Sequence, residues 1–339
     1  MRQAIMTSPG KIEFRDVAAP QAGRGEVLLR IRRIGVCGSD VHVYHGKHPY
    51  TKYPVVQGHE FSALVESLGP GVSGLQPGML VTALPQIVCG QCAPCRRGDY
   101  HICDVLKVEG FQAPGCAQDF FVTSAERIVR LPESFTPEQG ALVEPLAVAV
   151  HAVSRAGEVR GKNIVVLGAG PIGNLVAQTA QAAGAKPLIA DLSDYRLEVA
   201  GKCGLAARYN ANKETLEQAA RRVFGAAGFQ VAYECVGSEP TIGAAISAIA
   251  KGGTIVVVGV FGEKPRVDLG LVQDRELTLR GTLMYKKEDY QRAVALIAGG
   301  QVATAPLDSR HFPFAQYADA YTFIQRQGDK CVKVFVDLE

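Results

Sequence analysis

The sequence predicts an α/β chain of two domains, an all-β unit followed by a doubly wound parallel sheet. Three observations carry that reading. Residues 1–140 alternate short, half-buried strand patterns with Gly and Pro turns. From residue 163 onward, continuous apolar runs alternate with helical segments, as strands buried on both faces do. A glycine-rich turn, Gly168-Ala-Gly170-Pro171-Ile172-Gly173, stands at the first strand-to-helix junction of that second unit.

In the first unit, Glu26–Ile34 alternates apolar and charged residues, the period of a half-buried strand. Phe61–Leu68 and Met79–Leu84 read the same way, with Pro49, Pro54, Pro70, Pro77 and Pro85 as punctuation. The texture changes near Pro137, and Pro137–Gly157 reads as a helix. Asn163–Leu167 is then a buried strand, followed by an apolar helix to about Ala183. Lys186–Ala190, Gln230–Cys235 and Thr254–Val258 are further strands. Glu288–Gly299 reads as an amphipathic helix, and Lys330–Leu338 as a strand returning to the first unit. The first domain is therefore discontinuous, 1–147 plus 285–339, around a cofactor domain at 148–284.

A length of 339 residues accommodates two cores, and a net charge of 36 − 33 = +3 gives no support for nucleic acid or an anionic membrane as partner. The apolar run Ala141–Val153 is interrupted by Glu144, Pro145 and His151 and is too short to span a bilayer. The N-terminal residues lack a secretory pattern, so a cytoplasmic, reduced protein is expected, and nine cysteines point to metal ligands and buried thiols rather than disulfides.

Four of those cysteines, Cys89, Cys92, Cys95 and Cys103, have the spacing of a structural zinc site with four thiolate ligands. Ferredoxin-type spacing does not match, and a nucleic-acid finger would need more than Arg96 and Arg97 nearby. The lobe so formed covers about residues 86–107. Cys116, Cys203, Cys235 and Cys331 have no such partners and read as core thiols.

The glycine turn sits between a strand and a helix, and Asp191 follows 23 residues after its first glycine. That context makes it a dinucleotide site, with Gly168, Gly170, Pro171, Ile172 and Gly173 facing the pyrophosphate at a helix N-terminus. Asp191 would bind the adenosine ribose hydroxyls and repel a 2′-phosphate, favouring NAD over NADP. Arg196 either weakens that preference or is a solvated helix residue. Val236 and Val258, at the ends of later strands, complete the expected cofactor set.

A second group comprises Cys37-Gly-Ser39-Asp40, then Gly58-His59-Glu60, then Glu144-Pro145. A thiolate, an imidazole and one or two carboxylates suit a catalytic zinc with an open position. On spacing alone, Cys37 as a core thiol and Glu144 as a helix-start carboxylate fit equally well.

In their order along the chain, these motifs resemble the zinc-dependent medium-chain dehydrogenase/reductase family over essentially the whole length, and most closely its polyol (sorbitol-type) branch. The resemblance implies a GroES-like β-barrel catalytic domain plus a Rossmann domain, with the site between them. It implies that Cys37, His59 and Glu60 bind a catalytic zinc, and that Glu144 either replaces Glu60 or holds the zinc-bound water. Asp40 would orient His59, and Ser39 and His42 match the family's proton-relay positions. The implied reaction is hydride transfer between NAD and a secondary alcohol of a polyol, sugar acid or related sugar derivative, giving a ketone. L-Threonine 3-dehydrogenase, hexitol-phosphate dehydrogenase and a non-enzymatic NADH-binding protein are the alternatives. A homodimer or homotetramer is expected.

Family substrates contact Val43–His48, the region of Phe111, and Leu283–Lys287. Where sorbitol-type enzymes commonly have Arg-Tyr, this chain has Met284-Tyr285, which argues against sorbitol itself, while Tyr285 retains a donor for a sugar hydroxyl. The lysines of these loops suit a substrate carboxylate or phosphate, or are solvated.

Overall fold

The computed structural model describes residues 1–338. Two sheets organise the chain. One has seven strands, in the order Asp308–Pro313, Lys333–Asp337, Glu26–Gly35, Glu60–Leu68, Leu80–Ala83 and Ile128–Arg130, with Phe120–Ser124 also paired to Glu26–Gly35. Its pairings are antiparallel except between Asp308–Pro313 and Lys333–Asp337. The C-terminal strand therefore lies inside the sheet begun by the N-terminal half. In register, Gly35 stands opposite Glu60 on one side and Phe335 on the other.

The other sheet is parallel and six-stranded, ordered Ala207–Asn210, Lys186–Asp191, Asn163–Leu167, Val231–Glu234, Thr254–Val257, Thr278–Gly281. Numbered along the chain this is 3-2-1-4-5-6, and the direction of winding reverses between Asn163–Leu167 and Val231–Glu234. Ligands of open parallel sheets bind at that reversal, outside the carboxyl ends of the strands. The central strands are buried but for Asn163 at one start, which is why their sequences are nearly continuous apolar runs.

The predicted helix at Pro137–Gly157 is two helices, Pro137–Ala141 and Val143–Arg155, which share Leu142 as cap. Pro145 has no N–H to continue the ladder to Ala141, so it fits only in a first helical turn. Thr136 and Gln139 cap the first helix reciprocally, at 3.3 and 2.9 Å. The break presents Glu144 in the first turn of the second helix. That helix is buried along most of its length, in a core shared by Leu84, Val129 and Leu131 at the first sheet, Ile164 and Tyr233 of the second, and Leu175 of the helix Pro171–Ala182. The two halves are thus joined by packing as well as by chain.

Candidate active site

Four thiol sulfurs meet in the lobe. Cys103 Sγ lies 3.6 Å from Cys89 Sγ and 3.8 Å from Cys92 Sγ, and all four ligand atoms fall within 4.8 Å of one another. Sulfurs tetrahedral about a zinc at about 2.3 Å are about 3.8 Å apart. The geometry therefore fits that ion. The Cys89 and Cys92 amides point at sulfur, donating to Cys103 Sγ at 3.4 Å and Cys89 Sγ at 3.3 Å. The N–H groups of Gln91 and Cys92 pull the Cys89 thiol down to about 6.

Cys37, His59 and Glu60 form the other group with ligand atoms within 4.8 Å. Cys37 ends the strand Glu26–Gly35 by way of Val36 and caps the short helix Gly38–Tyr44. Glu60 opens the paired strand opposite Gly35 and His59 directly precedes it, so sheet register brings the three together. Asp40 Oδ2 accepts from the Cys37 N–H at 3.1 Å, and Asp40 Oδ1 lies 3.5 Å from His59 Nδ1. Burial would lower the His59 pKa, but the Asp40 carboxylate and Cys37 hold it well above its ordinary value. With Nδ1 directed to Asp40, the other ring nitrogen is free for a metal.

Glu144 stands outside that group. Its Oε1 accepts from the hydroxyl of Tyr285, and both side chains are buried. Burial lifts the Glu144 carboxyl to about 7, and the charge of Glu60 adds to the rise. The Cys37 thiol is pushed up by the same two causes. Lys333, buried on the last strand, donates to Glu60 Oε2 and to the Val36 carbonyl at 3.0 Å. Burial and the Glu60 charge thus keep protons on Cys37 and Glu144, and a divalent cation would supply the positive charge that lets a thiolate and carboxylates stand together here.

The expected substrate and relay residues spread around this cluster. The Phe111 ring lies 4.9 Å from His59 on one side and stacks 4.8 Å from His48 on the other. Ser39 is half-buried and His42 exposed on the helix Gly38–Tyr44. Lys286 and Lys287 are tied off: Lys286 Nζ bonds Asp99 at 2.9 Å, and Lys287 Nζ donates to the Glu126 carbonyl at 2.8 Å. Lys47 and Lys52 are exposed.

At the parallel sheet, Gly168 has φ +101° and turns the chain into the helix Pro171–Ala182, whose N-cap, Gly170, offers no side chain to the first-turn amides. A Cβ on Gly173 would overlap the Gly168 carbonyl, so this glycine serves strand–helix packing. A Cβ on Gly170 would meet nothing nearer than Arg196 Nη1 at 3.9 Å, so space above the turn is open for a phosphate. Asp191 accepts from the amides of Ala169 at 2.7 Å and Ser193 at 2.9 Å, at the edge of the same turn. Arg196 donates to the Gly328 carbonyl at 3.2 Å. Val236 packs against Gly168, and Val236 and Val258 both hang on Glu234, whose carboxylate takes the Val236 N–H and whose carbonyl takes the Val258 N–H.

Three residues of this region lack a sequence motif. Lys333 is one; its only signal is a lysine opening a strand whose next three residues, Val334 to Val336, are apolar. Gln57 and Tyr321 are the others: Gln57 donates to Asp40 Oδ1 at 3.3 Å and accepts from Tyr321 at 3.1 Å, extending the polar chain behind His59.

The description "Alcohol dehydrogenase GroES-like domain" matches residues 23–133, and "Zinc-binding dehydrogenase" matches residues 171–299. The chain is 37% identical over 304 residues to 2-dehydro-3-deoxy-L-galactonate 5-dehydrogenase of Pseudoalteromonas atlantica, covering 89% of this chain and 88% of that one. It is 32% identical to L-threonine 3-dehydrogenase of Pyrococcus horikoshii, covering 98% of each. Among solved structures, it is similar to a zinc-binding dehydrogenase of Sinorhizobium meliloti bound to NADP, with TM-score 0.93, 29% identity and 99% of each chain covered. An alcohol dehydrogenase of Escherichia coli complexed with NADH gives TM-score 0.93 at 25% identity, covering 100% of this chain and 99% of that one.

Proposed function

This chain belongs to the zinc-dependent medium-chain dehydrogenase/reductase family, and we propose that within it the substrate is a sugar acid, or a related polyol, whose secondary hydroxyl is oxidised to a ketone with NAD as hydride acceptor. The observation that carries the choice of a sugar acid is how the loop lysines divide. Lys286 and Lys287 are engaged elsewhere, whereas Lys47 and Lys52 are exposed on either side of His48, which stacks through Phe111 onto His59. The segment that carries those cations is tied to the metal group through His48 and Phe111, and the cations suit a substrate carboxylate. The likeness to a galactonate-type dehydrogenase supports the same reading.

A zinc ion bound by Cys37, His59 and Glu60 would supply Lewis acidity that eases deprotonation of a hydroxyl. The residues around it divide the remaining work. Asp40 orients His59. Tyr285 and Glu144 offer a hydroxyl and a carboxylate beside the substrate, with Glu144 poised near neutrality to hold a proton. Ser39, half-buried, and His42, exposed one turn further along the same helix face, carry the released proton outward. Asp191 sets the preference for the unphosphorylated ribose, because a 2′-phosphate would meet its charge. We further infer a homo-oligomer joined through Thr278–Gly281, the outermost strand of the parallel sheet, whose four residues are exposed.

The test is NAD reduction by zinc-loaded protein with aldonic acids, their corresponding polyols, hexitol phosphates and L-threonine. Sugar acids should give the highest kcat/KM, and Lys47→Ala with Lys52→Ala should lose that advantage over the polyol. Turnover of L-threonine alone would replace this reading with the amino-alcohol one.

A further inference from the structure

Tyr285 reaches Glu144 through a turn that an L side chain rarely adopts. Met284 has φ +51°, in the left-handed region. The turn sends the side chains that flank Met284 to opposite environments: Leu283 is 53% exposed and Tyr285 fully buried. A conformation of this kind persists where its surroundings over-determine it, and here the surroundings are the four-cysteine lobe. At the base of the lobe, Gln86 donates from Nε2 to the Tyr285 carbonyl at 2.8 Å. Between Cys95 and Cys103, the Tyr100 hydroxyl accepts the Lys287 N–H at 2.6 Å, and Asp99 accepts from Lys286 Nζ at 2.9 Å. The far side is fixed by Asp289, whose Oδ2 accepts the Lys286 N–H at 2.7 Å and lies 3.0 Å from His151 Nδ1.

We propose that the four-cysteine lobe is a positioning element for the active site: Gln86 and Tyr100 clamp the left-handed turn at Met284 so that the Tyr285 hydroxyl is held on Glu144. The Asp99–Lys286 pair is about one-third exposed and adds less than the two hydrogen bonds to main chain. Gln86 and Tyr100 are therefore positioning residues, acting on the reaction through Tyr285. This rests on the reading of Tyr285 and Glu144 as part of the reacting site.

The experiment compares Tyr100→Phe, Gln86→Met, Tyr285→Phe and the double variants, all zinc-loaded. Both clamp variants should fold with wild-type zinc content and bind NADH as the wild type does. Amide hydrogen exchange over 283–289 should accelerate at least tenfold in each, roughly the exposure expected of a released turn. Because small misplacements of catalytic groups carry large rate penalties, kcat should fall about tenfold with KM for NAD within about twofold. Tyr285→Phe should lower kcat, and adding Tyr100→Phe to it should lower kcat little further. Unchanged exchange over 283–289, or full additivity with Tyr285→Phe, overturns the clamp. Accelerated exchange with wild-type kcat in Tyr285→Phe keeps the clamp and overturns the role assigned to Tyr285.

Discussion

Lys333 and Glu60 form a buried ion pair, each side chain 2% exposed, joining the last strand of the chain to the residue after His59. The pair sits where a glycine is required. A Cβ on Gly35 would run into the Glu60 carboxylate and come within 2.9 Å of Lys333 Cε. Lys333→Met strands the Glu60 charge, and breaking a buried pair from one side costs about 3–5 kcal/mol. A bound dication would supply the missing positive charge. Urea unfolding should therefore show the full loss in metal-free protein and a distinctly smaller one in zinc-loaded protein. Equal losses would mean that Glu60 does not face the metal.

Gly170 and Gly173, three residues apart, should respond differently to alanine. Gly170→Ala meets open space, so melting temperature should hold while NADH affinity drops roughly tenfold, about 1.4 kcal/mol. Gly173→Ala overlaps the Gly168 carbonyl and should destabilise the fold by about 1–3 kcal/mol. Thermal melts paired with NADH titration separate the two.

Asp191 does more than the sequence motif implies. Its carboxylate holds the amides of Ala169 and Ser193, so it shapes the glycine turn in addition to the ribose binding proposed for it. Asp191→Ala leaves those donors without their acceptor, at a cost of about 1–3 kcal/mol. NAD affinity should fall by roughly tenfold to a hundredfold, and the NADP/NAD ratio of kcat/KM should rise. An unchanged ratio would assign ribose recognition to another residue.

His101 lies in the seam between the lobe and the Glu144 helix, its ring 4.7 Å from that of His151. Burial, with His151 and Lys286 nearby, lowers its pKa from 6.5 to about 4. The folded state then binds fewer protons than the unfolded state between those values. Its contribution to stability is present above pH 6.5 and is lost as pH falls toward 4, by at most about 3 kcal/mol. His101→Gln should flatten the acid side of the stability curve over that window. A parallel curve for the variant would mean that His101 titrates normally.

Features written in short spacings were legible in the sequence. The cysteine lobe and the glycine turn are local, and their residues meet as the motifs require. Glu144 and Tyr285 were both singled out, but their contact spans 141 residues and was not foreseeable. Lys333 meets Glu60 across 273 residues, with only a lysine at the head of a Val-Phe-Val run as a clue. The helical reading of Pro137–Gly157 holds, divided into two helices at Leu142 because Pro145 has no N–H to continue the ladder to Ala141. The basic loop at Lys286–Lys287 looked free in sequence, and only its partners on the lobe and at Glu126 remove it from substrate binding.

The most direct test is NADH formation from a sugar acid as zinc is restored to metal-free protein. Wild type should take up two zinc ions per chain, with kcat rising only as the Cys37 site fills. Cys37→Ser should bind one zinc ion, keep its fold and its affinity for NADH, and produce no NADH. Turnover by Cys37→Ser at the wild-type rate would contradict the assignment of the reaction to Cys37, His59 and Glu60.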